Sequence, residues 1–126
     1  MGEMLNKEKV NQILAEHAEK AKQILNDKDD LIRMLVEAEK TIKAHEELSS
    51  IQDLPTMIHI VRSYAYGTAS GVSEDSVAVM AGALMYLTDS EDYFQDSTPV
   101  LGLFDDMAVI WAAIDREQKV IRSFGK

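Results

Sequence analysis

Ser73-Glu74-Asp75-Ser76-Val77-Ala78-Val79-Met80-Ala81-Gly82-Ala83-Leu84-Met85-Tyr86-Leu87 is the stretch on which the fold turns. Ser73 suits an N-cap, because its hydroxyl can accept an N–H from the first helical turn, and Glu74 and Asp75 suit the positive end of the helix dipole. Ser76 stands where a capping box would need Glu or Gln. From Val77 to Leu87 the helix is apolar around its whole circumference. Such a helix has no solvent face, so it belongs at the centre of a helical core.

On the C-terminal side, Thr88–Leu101 reads as a long polar connection carrying Asp89, Glu91, Asp92 and Asp96. A second apolar helix is expected to start between Pro99 and Asp105 and to run to about Arg122. Its first part, Met107–Ile114, is again apolar all round, while Asp115–Arg122 is charged. Arg116, Lys119 and Arg122 suit a helix C-terminus, where free carbonyls favour cations. The two apolar helices, at about 73–88 and 101–122, are expected to form a buried antiparallel pair. The acidic loop between them should fold back over the start of the second.

On the N-terminal side, Pro55 suits a first helical turn, and a helix is expected from Pro55 to Tyr66, closed by Gly67. Residues 4–48 carry a heptad-like series: Val10, Leu14, His17, Ala21, Ile24, Lys28, Leu31, Leu35, Ala38, Ile42 and His45. Two structures satisfy it. One is a single helix about 67 Å long, pairing as a coiled coil. The other is an amphipathic hairpin broken at Asn26-Asp27-Lys28-Asp29-Asp30, where short polar side chains favour caps over helix interiors. No strand signal competes with this helical spacing. The expected class is all-α, with four or five helices in a single domain. Within it, residues 1–50 are amphipathic, 51–115 form the core, and 116–126 make a basic C-terminal turn.

The chain has 126 residues, 22 acidic and 13 basic, for a net charge of −9. Phosphate recognition needs the opposite sign, so nucleic acid is not an expected partner. The absence of cysteine excludes disulfides, thiolate metal sites and cysteine nucleophiles. No apolar run approaches the roughly 20 residues of a spanning helix, and no secretory signal is visible, so a cytoplasmic location is expected. The charge is unevenly placed. Residues 51–115 hold 10 acids against Arg62 alone, and no lysine or arginine occurs between Ser63 and Asp115.

Within that stretch Asp89, Asp92, Asp96, Asp105 and Asp106 are candidate ligands for a hard divalent cation, because such ions prefer carboxylate oxygens. The EF-hand spacing is absent. The alternatives are capping, turn formation, pairing with Arg62 or Arg116, and an acidic partner surface. His17 and His45 lie on the seam, about 9 Å out of register in a hairpin, and His59 lies inside the third helix, so a shared metal is not expected. No G-x-S-x-G or phosphate-cradling glycine spacing occurs. No catalytic residue and no cofactor is assigned.

Tyr86, Asp92, Asp96, Pro99, Gly102, Asp105 and Asp106 fall at the spacings of a recognisable signature. In these residues the chain resembles the YkvA-like domain of unknown function, a small, mostly bacterial helical family. The resemblance covers residues 51–115 well and 22–50 loosely. Ser90 and Gln95 stand where the family has proline. The resemblance implies a role for the matching aspartates without saying whether that role is structural. The expected function is a non-enzymatic interaction or regulatory module, with a protein partner or self-association. The alternatives are a cation-binding or metal-dependent hydrolytic protein and a peripheral membrane protein.

Overall fold

The computed structural model describes residues 7–69, 71–89 and 99–124. Seven helices occur among them: α1 Lys7–Ile24, α2 Lys28–Ala44, α3 Glu46–Ser49, α4 Leu54–Ala65, α5 Glu74–Asp89, α6 Pro99–Arg116 and α7 Gln118–Phe124. The described residues contain no strand, so the class is all-α.

The ambiguity of the N-terminal heptads is resolved at Asp27. Its carboxylate accepts the Asp30 N–H at 3.1 Å, capping α2 and separating it from α1. The two helices do not form a packed hairpin, however. They touch each other at few points, and each lays its apolar stripe on α5 instead. Lys28, the charged member of the heptad series, sits over the Tyr66 ring at 4.3 Å. His45, expected on the seam, breaks the chain between α2 and α3 with its N–H on the Ile42 carbonyl.

The other caps follow local chemistry. Ser73 Oγ accepts the Ser76 N–H at 3.1 Å at the start of α5. At the end of α4 the Thr68 N–H reaches the Ser63 carbonyl and the Gly67 N–H reaches Tyr64, the paired bonds of a Schellman motif. Gly67 adopts the positive φ of 76° that this motif requires.

Boundaries near the acidic stretch differ from expectation. α5 continues through Thr88, whose hydroxyl donates to the Met85 carbonyl, and Asp89. α6 begins at Pro99, so the connection is shorter than Thr88–Leu101. The helix expected to reach Arg122 is interrupted at Glu117. The segment beyond it packs on α4, with the Phe124 and His59 rings edge to face at 5.3 Å.

α5 is the hub, packed against α1, α2, α4 and α6. Val77, Ala78, Met80, Ala81, Ala83, Leu84 and Leu87 are fully buried in it. Its largest interface is with α1, rather than with the second apolar helix. The two run antiparallel, for Lys22 meets Asp75, Ala18 meets Gly82 and His17 meets Tyr86. At the crossing a methyl group on Gly82 would fall 2.6 Å from the Ala18 nitrogen and 2.7 Å from the His17 carbonyl carbon. Backbone therefore lies directly against backbone there. Buried residues from all seven helices join one cluster.

Candidate functional site

The aspartate cluster singled out in the sequence is divided by the fold between two helices and residues outside the described ones. Asp89 closes α5. Asp92 and Asp96 lie outside the described residues. Asp105 and Asp106 lie on the second turn of α6, below Pro99 and Gly102. Among the described residues no three His, Asp or Glu side chains are grouped to hold a metal ion.

Arg62, the cation weighed against Asp105 and Asp106, has a partner on α2. Its Nη2 donates to Glu39 Oε1 at 2.9 Å, tying α4 to α2. Tyr86, the signature aromatic, is partly buried and stands edge to face with the His17 ring at 5.1 Å. The other side of His17 is fixed by Nδ1, 3.0 Å from the Ile13 carbonyl. His17, His45 and His59 thus occupy three separate places in the fold. The basic end splits, with Arg116 closing α6 while Lys119 and Arg122 are exposed on α7. Lys126 lies outside the described residues.

Lys22 forms a charged link between α1 and α5. It lies 3.3 Å from Asp75 on the first turn of α5 and 3.5 Å from Glu19 on its own helix. The hydrogen bond to Asp75, then the charge of Glu19 and that of Asp75, hold the ammonium above its ordinary value of 10.5. Hydroxyl groups serve the backbone: Thr41 donates to Glu37, Ser49 to Ile42 and Ser50 to Glu47.

Clefts open between the helices. One lies between α2, α3 and α4, with Ile42, Leu48, Leu54 and Ile58 as its apolar lining. Its rim is closed by the Glu39–Arg62 pair and encloses about 300 Å³. The larger, about 630 Å³, lies between the start of α1 and the second half of α6. Ala108, Trp111, Ala112, Asp115 and Arg116 line one wall, and Lys7, Val10 and Asn11 line the other.

Trp111 is the residue that sequence reasoning missed. Met107–Ile114 reads as apolar all round, which implies burial. The structure instead buries Val109, Ile110, Ala113 and Ile114 and leaves Trp111 50% exposed. At 100° per residue those four make one inward stripe, and Trp111 falls on the other side, one turn before exposed Asp115. The signal available in advance was that i, i+4 relation of the lone tryptophan to a charged residue.

No family model, no curated protein and no solved structure matches the chain. No helix among the described residues is long and apolar enough to cross a membrane.

Proposed function

We propose that the chain is a non-enzymatic helical interaction module that works by docking a protein partner, and that it is kin to the YkvA-like domains. The kinship is supported by the spacing of Tyr86, Asp92, Asp96, Pro99, Gly102, Asp105 and Asp106. The base-free acidic stretch that contains these aspartates is an accessory binding surface in this reading.

The half-exposed indole of Trp111 in an open cleft carries the docking reading. A tryptophan face left in water forgoes much of the stabilisation its burial would give. Tryptophan is enriched among the few residues that dominate binding energy at interfaces. The flanking Ala108 and Ala112 leave room beside it, and Lys7, Asp115 and Arg116 supply a polar rim.

Photo-crosslinking in living cells tests this. A benzophenone side chain replacing Trp111 should give a discrete adduct on irradiation, whereas the same group replacing exposed Glu47 on α3 should not. No adduct at 111 above the Glu47 background would overturn the reading.

A further inference from the structure

The directions of α1 and α6 determine what kind of partner fits the Trp111 cleft. Lys7, Val10 and Asn11 share that cleft with Ala108–Arg116. Farther along α1, Ala15, Ala18, Glu19 and Lys22 share a second hollow with Arg116. Position along α1 therefore rises with position along α6, and the two helices run side by side in the same direction. Arg116 borders both hollows, so Lys7 and Ala108, the first residue of each wall, lie toward the same end of the cleft.

We propose that this cleft is an interface between two copies of the chain, related by a twofold axis beside Trp111, with Asp115 of each copy meeting Lys7 of the other. The inference rests on the docking reading and names its partner. A twofold axis across α6 sets the two α6 helices antiparallel, so whatever lies four residues after Trp111 is carried opposite whatever lies level with four residues before it. Asp115, about 6 Å along the axis from Trp111, thereby comes over the level of Met107 and Ala108, toward the end of the cleft that Lys7 lines. Both Lys7 and Asp115 are exposed. The operation makes the contact twice.

Shape agrees with charge. Ala108 and Ala112 leave low ground on either side of the indole, and the cleft offers about 630 Å³. The same operation sets the Trp111 indoles of the two copies against each other, and the small side chains beside them leave room for the pair. The rim carries both signs, Lys7 and Arg116 against Asp115, so an antiparallel copy can set opposite charges together on both sides of the axis. The net charge of −9 on each copy opposes approach at low salt. At physiological ionic strength the screening length is about 8 Å, so the distant acids are muted and the contacting pairs are screened less.

Sedimentation equilibrium of the full chain at physiological salt, from micromolar to submillimolar concentration, tests the pairing. The expected result is a reversible dimer. Trp111→Ala should weaken it about tenfold or more. Lys7→Glu and Asp115→Lys should each weaken it about three- to tenfold by setting like charges across the axis. Lys7→Glu combined with Asp115→Lys should restore most of the affinity, because opposite signs meet again. Circular dichroism of each variant confirms folding, and the two charge swaps test the proposal even if Trp111→Ala is lost. A wild-type monomer throughout, charge swaps without effect, or a double swap no better than either single would each overturn self-pairing. If the wild type is monomeric but the photoreactive residue at 111 captures a different protein, self-pairing fails and the docking reading stands. A monomer with no adduct overturns both.

Discussion

Gly82 sets two ordinary rules against each other. In an exposed helix interior, Gly→Ala gains about 1 kcal/mol from helix propensity. Here the added methyl would lie 2.6 Å from the Ala18 nitrogen and 2.9 Å from its Cα, and backbone cannot step aside as a flexible side-chain tip can. Overpacking a tight core costs about 1–3 kcal/mol, occasionally more. Gly82→Ala should therefore destabilise the protein by about 1–3 kcal/mol in urea unfolding, and a stabilised variant would mean that α1 and α5 do not cross this closely. The glycine was visible in the sequence, but its partner was not. Ala18 lies outside the heptad series traced from Val10 to His45, and nothing local announces which helix will cross at Gly82. Trp111 was misread for a related reason: an all-apolar run hides which of its faces the neighbours will cover.

Helix ends were legible because they depend on a few consecutive residues. Asp27, Ser73 and the Gly67–Thr68 pair each bond groups within five residues, so the sequence held both partners. Helix pairing was not legible to the same degree. The antiparallel partner expected for α5 was the following helix, its neighbour in sequence, yet its main contact is α1. Small side chains, Ala18 and Ala21 on α1 and Ala78, Ala81 and Gly82 on α5, permit the closer approach. That interface is pinned at its edge by Lys22 and Asp75, and this gives it a pH signature. A lysine whose pKa is raised in the folded state contributes stability that is fully present below its unfolded value of 10.5 and is lost as pH rises through the folded value. Thermal unfolding of wild type and Lys22→Met should therefore differ by a constant margin from about neutral to about pH 9, and the margin should close above about pH 10.5. A margin that instead closed on acidification through neutrality would show that Lys22 is not the group responsible.

Seven helices share one buried cluster, and most of them reach α5. This architecture bears on how the protein comes apart. A helix attached to a hub by few contacts can open alone, whereas helices that each cover part of one common core lose that core together. α6 is the informative case, because it buries Val109, Ile110, Ala113 and Ile114 yet presents Trp111 outward. Trp111 is the sole tryptophan of the chain, so its fluorescence follows α6 while far-UV circular dichroism follows the helices as a group. The shared cluster predicts coincident urea transitions by the two probes, as cooperative domains of this size show. Leu84→Ala, cutting into the fully buried middle of α5, should lower both midpoints together. Its cost of about 2–5 kcal/mol would be a large part of a total stability on the order of 5–15 kcal/mol. A fluorescence transition that preceded the loss of helix would instead make α6 a separable element. The same experiment run on either side of the dimer midpoint separates intrinsic docking of α6 from support by a second copy. If self-pairing covers Trp111, the fluorescence midpoint should rise with protein concentration.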